Sequence, residues 1–225
     1  MWNEFNIKTF PAETIVYRDG VYCPELSTLD NMEIISRRFD LPVHIIYVGK
    51  LRGENTLNIN LSSHNQPVFL TINSENNFPA FLNIFIKNTG KNSEIRGHIM
   101  LKNSSDLDVK ILAEHGADDT GILLQTKIIG TKASFSKIYA SAKIGQNVKN
   151  TKSDIRIGAL ATDKSAKFRL TPVQGIKSVP EYAEHGAYIF QPKPTVELYL
   201  RESGLSGAEV HEIMQESFKN DFNLF

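Results

Sequence analysis

"VFLTINSENNFPAFLNIFIKNTGKNSEIRGHIMLKNSSDLDVKILAEH", residues 68–115, decides the fold. Its runs VFLTI, FLNIFI, IRGHIML and LDVKILAE are short and mostly alternate apolar with polar side chains, the pattern of strands buried on one face. Between them stand NSENNFP, KNTGKN and KNSSD, built from residues that accept turn geometry. The pattern extends both ways, with VHIIYV and TLNINL before it and GILLQTKII, ASFSKIYASAKI, DIRIGALA and KFRLTPVQGI after it. The first six runs begin at Val43, Thr56, Val68, Phe81, Ile95 and Leu107, at spacings of 13, 12, 13, 14 and 12 residues. No helical period interrupts them. Even spacing of this kind belongs to sandwiches, barrels and solenoids. Asparagine-rich turns after each strand favour a β-helix, whose coils stack their apolar faces into one core. Periodicity alone leaves β-helix and sandwich open.

The flanks differ. Residues 1–42 read as an irregular or helical entry segment: Asp19-Gly20 is a hairpin-type turn, and LDNMEIISRRFDLP predicts a short helix capped by Asp30 and ended by Pro42. Residues 43–193 form the β core and 194–225 a two-helix hairpin. TVELYLRESG predicts a helix with Thr195 as N-cap and Gly204 as terminator. In the next helix Ser206 and Glu209 have capping-box spacing, and Val210, Ile213, Met214, Ser217 and Phe218 share a face. Leu198, Tyr199, Leu200, Val210, Ile213, Met214 and Phe218 give the hairpin more apolar surface than capping a solenoid end requires. They mark a docking element, with capping of the solenoid end as the alternative use; both can coexist on opposite faces.

Composition narrows the function. Lys+Arg and Asp+Glu both number 25 among 225 residues, which argues against a nucleic-acid binder working through a broad basic surface. Cys23 is the single cysteine, so an intramolecular disulfide and a multi-thiolate metal site from this chain alone are excluded. MWNEFNIK lacks a basic n-region and an apolar h-region, and FPAFLNIFI, at 78–86, is too short to span a bilayer. A cytoplasmic protein with no membrane partner is expected.

Candidate chemistry is sparse. None of His44, His64, His98, His115, His185 and His211 has a partner at metal-ligand spacing. The pentapeptide AEHGA occurs twice, around His115 and around His185. Asp118 and Asp119, with Asp106 and Asp108 on a nearby coil, are the carboxylates a carbohydrate-active β-helix would use for acid/base work or for Ca²⁺. Against this, acidic residues commonly cap turns. With no phosphate loop, G-x-S-x-G elbow or nucleophile–base pair, the chain reads as a non-enzyme. A structural β-solenoid that self-associates through an end coil is a further alternative.

The last third carries a more specific signal. ATDKSAKFRLTPVQGI, EHGAYIF and VELYLRESGLSGAEV resemble, in order, three segments near the C-terminus of the SufB/SufD family of iron–sulfur cluster assembly proteins. Pro172 and His185 keep that family's thirteen-residue separation. IVYRDGVYCPELSTL and LPVHIIYV resemble the entry segment of its SufD-type members, while 50–150 matches by strand rhythm. The resemblance implies a right-handed parallel β-helix flanked by helical segments. It implies a non-catalytic scaffold that docks a SufC-type ATPase through its C-terminal helices and pairs with a SufB-type subunit or with itself as a homodimer. His185, with Glu184 beside it, falls where the family has an interface residue implicated in cluster assembly. No cofactor would be bound stably; an iron–sulfur cluster would be present only transiently at a subunit interface. The chain departs from the pattern in three places: Ile157 stands near the SufB-type cysteine, Gly186 replaces a SufB-type glutamate, and PVQG replaces an acidic PELE, with Gln174 and Gly175 in place of polar or acidic groups. The chain is short beside larger members, which carry a long helical N-terminal region.

Overall fold

The computed structural model describes residues 12–30 and 34–220. Eleven of its twelve strands belong to a parallel stack, and only the second runs antiparallel to its neighbour. After β1 (Glu13–Arg18) and β2 (Val21–Tyr22) come β3 (Ile34–Ile35), β4 (Val43–Leu61), β5 (Pro67–Asn88), β6 (Glu94–Asn103) and β7 (Asp106–His115). These are followed by β8 (Gly121–Gly130), β9 (Phe135–Ile144), β10 (Lys152–Ala161), β11 (Lys167–Ile176) and β12 (Tyr182–Phe190). Two helices close the chain, α1 (Pro194–Glu202) and α2 (Gly207–Asn220).

The register shows a parallel β-solenoid of about six turns. Pro67 pairs with Glu94 and Glu94 with Gly121, so each turn there takes 27 residues, and inward-facing positions fall on top of one another. One sheet runs through β1, the first half of β4, the first half of β5, β6, β8, β10 and β12. The other runs through β3, the second halves of β4 and β5, β7, β9 and β11. Between the sheets lies a single ladder core, exemplified by Ile45, Leu70, Leu124 and Ile155 on one side and Leu82, Val109, Ile138 on the other. Alternate residues point inward because the strand period is two, and this is the alternation the sequence displays.

Corners are held by polar side chains stacked like the strands. Asn76 Nδ2 donates to Asn103 Oδ1 at 2.7 Å, and Asn103 Nδ2 donates to Ser136 Oγ at 2.8 Å. At the opposite corner Asn65, Asn92, Asp119 and Asn150 all adopt φ between 52° and 55°, the left-handed turn conformation that Asn and Asp tolerate. The frequent asparagines are therefore corner-formers, with side chains that satisfy backbone groups the turns leave open.

Three expectations need correcting. GKLRGEN and NSENNFP are not loops: β4 and β5 run through both corners as continuous strands, with one register shift between Leu51 and Gly53. Gly49 (φ 113°) and Gly53 (φ 57°) let β4 bend there without leaving the ladder. The helix expected over 30–42 has its first turn at 31–33, outside the described residues, but Ile34 and Ile35 pair in parallel with Asn60 and Leu61 and belong to the first coil. In α1 the N-cap is Lys193, with Pro194 at the first helical position, and not Thr195; proline's fixed φ and missing N–H suit that position. The other local readings hold. Asp19 (φ 52°) and Gly20 (φ 84°) make a two-residue hairpin turn between β1 and β2. Gly204 (φ 94°) ends α1. Ser206 N–H donates to Glu209 Oε2 at 2.7 Å and Glu209 N–H to Ser206 Oγ at 3.3 Å, a reciprocal capping box.

Candidate functional site: the open terminal coil and the hairpin

His185 sits on β12, in register with Ile155, which is buried at 1 % exposure in the core. Its side chain thus occupies the inward-facing ladder position, but no further coil follows among the described residues, and His185 is exposed. The facing strand is β11, where Pro172 is in register with the core residue Ala140. A proline here costs little, because a terminal strand has no next strand awaiting its N–H. Ile189, 56 % exposed, and Ile176, 44 % exposed, continue the same inner surface. The interior of the solenoid is thus open at this end.

Gln174 spans that opening. Its Nε2 donates to the carbonyl of Glu184 at 2.6 Å, crossing from β11 to the peptide that precedes His185. It substitutes for a further coil at that point and fixes where His185 emerges. Glu184 and His185 are not brought together, since neighbours on a strand point to opposite faces. Glu184 is on the outer surface, where its Oε2 accepts from Arg156 Nη2 at 3.1 Å. The same guanidinium pairs with Asp154 at 3.0 Å. Burial pushes the Asp154 carboxyl above its ordinary range, against the opposing pull of Arg156.

The second AEHGA has a different fate. His115 ends β7 at a corner, in register with Asn88 and Ile144, and is fully buried. Its Nδ1 lies 3.0 Å from Thr120 Oγ1, and burial pushes its pKa down to about 4, so it is neutral at physiological pH. One pentapeptide gives a buried corner residue, the other an exposed inner-face residue, because their registers differ.

The acidic residues scatter in the same way. Asp118 Oδ1 accepts from the Lys149 N–H at 2.7 Å, and Asp119 Oδ1 accepts from Asn150 Nδ2 at 3.0 Å. Both are tied into the stacked turns. Asp108 lies on the outer face of the second sheet, paired with Lys137 at 2.7 Å, and Asp106 starts β7 at the other corner. The four carboxylates do not converge. Among the described residues no group of three or more His, Cys, Asp and Glu side chains is placed to hold a metal ion. Cys23 is buried at the other end of the stack with Val16 and Ile46.

The hairpin divides its apolar residues. Val210, Met214 and Phe218 are buried. Phe218 packs with Ile129 and Leu160 on the outer face of the first sheet and meets the Tyr188 ring edge-on at 6.3 Å. Lys127, with no exposed surface, donates from Nζ to the Phe218 carbonyl at 2.6 Å, placing a cation at the negative end of the α2 dipole. Leu198, Tyr199, Val196 and Ile213 are 56, 68, 47 and 44 % exposed, and Leu200 is half-buried. The stripe expected to dock a partner is therefore two surfaces: one fastens α2 to the solenoid and the other faces outward. The sequence gives no sign of Lys127 and marks Gln174 only as a departure from the family pattern, since a lysine or glutamine in a strand does not show what crosses it in space.

These features define a parallel β-solenoid with an open terminal coil and an appended helical hairpin. No protein-family model matches the chain, and no curated protein sequence matches it. No helix among the described residues is long and apolar enough to cross a membrane.

Proposed function

We propose that the chain is a SufD-like scaffold subunit of a cytoplasmic iron–sulfur cluster assembly machinery. It acts without catalysis of its own. Its terminal coil pairs with a SufB-type subunit or a second copy of itself, and its hairpin docks a SufC-type ATPase. The observation that carries this reading is the unfinished last coil. Ile176, Ile189 and His185 lie in register with the buried apolar residues Ile144, Ala159 and Ile155 of the turn before, yet they are exposed. Apolar surface presented beside unpaired strand edges suits a partner that continues the sheet. The exposed apolar face of the hairpin supports a second docking surface, and the residue pattern shared with the SufB/SufD family supports the identity of both partners. Any cluster would be cargo at the pairing interface. In this reading His185 would face it, and thiolate ligands would come from the partner, because Cys23 is buried at the far end.

The test is association with a SufC-type ATPase by sedimentation velocity, comparing wild type with Leu198→Asp/Tyr199→Asp. Both residues are exposed, so the double variant keeps its fold and loses the complex. Retention of the complex by this variant sinks the docking assignment. Val210→Asp is unsuitable for this purpose, since Val210 is only 3 % exposed and a buried carboxylate there would undock α2.

A further inference from the structure

The zero net charge of the whole chain conceals a segregation. Between residues 120 and 180 there are eleven Lys and Arg but only two acidic residues, whereas 181–225 holds eight acidic residues and three basic ones. The solenoid turns this linear bias into a surface. On the outer side of the second sheet, β9 presents Phe135, Lys137, Tyr139, Ser141 and Lys143, and β11 presents Lys167, Arg169, Thr171, Val173 and Gly175. No carboxylate stands among them. Lys110 adjoins in register with Tyr139, and Lys132 and Lys164 project from the neighbouring corner turns. The acids bordering this area are Asp106, Asp108 and Glu114 on β7, Asp163 in the turn that carries Lys164, and Glu54 in register with Phe81; Asp108 is already paired with Lys137 and Asp163 accepts from Ser165. Lys110, Lys143, Lys167 and Arg169 make no ion pair among the described residues.

Aromatic rings share this face. Phe135 is 42 % exposed and Phe81 55 % exposed, and Phe81 lines a shallow depression with Asn83, Asp108, Lys110, Lys137 and Tyr139. Cations on a flat sheet with interleaved exposed rings supply the two terms that bind a single-stranded polynucleotide: phosphate neutralisation and base stacking. The hairpin packs on the opposite sheet, so this face stays open when α2 is docked.

We propose that the outer face of β9 and β11, extended by Lys110 and Phe81, binds single-stranded nucleic acid. The proposal is independent of the scaffold reading. The test is fluorescence anisotropy with a fluorescein-labelled oligothymidylate of about 20 nucleotides, long enough to cross the face. Binding at low salt should weaken as salt rises, with a log–log slope of about −0.7 for each phosphate neutralised. Lys143→Glu/Arg169→Glu should lower affinity at least about tenfold and flatten that slope. Phe135→Ala, which removes no charge, should cost about tenfold through lost stacking. All variants lie on the surface, and unchanged thermal melts confirm their fold. The proposal is overturned by absence of binding at low salt, or by an unaffected Phe135→Ala variant. It is equally overturned if polyglutamate or anionic phospholipid vesicles of matched charge compete as well as unlabelled oligonucleotide, since the face would then select charge alone.

Discussion

Truncating Asn103 to alanine should cost about 3–5 kcal/mol of folding free energy. The side chain is fully buried at a corner. Its Oδ1 accepts from Asn76 Nδ2 at 2.7 Å and from the Ser105 N–H at 3.1 Å. Its Nδ2 lies 2.8 Å from the Ser105 carbonyl, 2.8 Å from Ser136 Oγ and 3.2 Å from the Phe135 carbonyl. Alanine leaves these partners with no substitute and no room for bulk water. Asn76 keeps one contact, to the Asp106 carbonyl at 3.2 Å, so its loss is partial. Two or three orphaned buried groups at about 1–3 kcal/mol each reach the stated range once local relaxation is allowed. Urea denaturation would read this as a lowered midpoint at unchanged slope. Asn58→Ala, on the outer face of β4, serves as control and should stay within about 0.5 kcal/mol of wild type. A loss below about 1 kcal/mol for Asn103→Ala would mean that the corner ladders do not hold the coils in register, and that apolar stacking alone does.

Other outcomes follow from the same geometry. His115 is neutral in the fold with a pKa of about 4, so the unfolded chain takes up a proton first as pH falls below about 6.5. Stability should therefore be unaffected above that pH and decline by up to about 3 kcal/mol down to about pH 4. His115→Asn, which matches Asn88 one coil earlier, should remove that part of the acid limb in denaturation curves at several pH values; an unaltered limb would show that His115 is not its source. At Gly158 a Cβ would lie 2.6 Å from the Tyr188 ring, so Gly158→Val should displace Tyr188 and then Phe218. Protease cleavage in α2 should accelerate while the strands stay protected, and uniform protection would contradict the link. Gln174→Ala should leave the melting temperature nearly unchanged but speed amide exchange around residues 183–186, and unchanged exchange there would remove its role in fixing the terminal strand.

The strand rhythm made the solenoid legible because inward positions recur with period two, and stacking needs nothing else. The asparagine-rich turns pointed the same way, since corner residues must satisfy backbone groups. What stayed hidden depends on register between residues 25 to 32 apart. GKLRGEN has loop composition, yet two glycines let the ladder bend through it. AEHGA reads identically at 113–117 and 183–187, and only the strand above each decides whether its histidine is corner or open face. The hairpin's apolar residues were visible as one stripe; their division followed from how α2 lies against Ile129, Leu160 and Tyr188. The basic face was masked by a balanced total, and a sum over the chain cannot register charge that one stretch concentrates and another offsets.

Hydrogen–deuterium exchange of this chain, alone and with a SufB-type subunit and a SufC-type ATPase, tests both docking surfaces at once. Protection should appear in β11 and β12, around Ile176, His185 and Ile189, and separately across Val196–Ile213 of the hairpin, with each region answering to its own partner. Exchange left unchanged in both regions, with the proteins mixed well above micromolar concentration, would contradict the scaffold account.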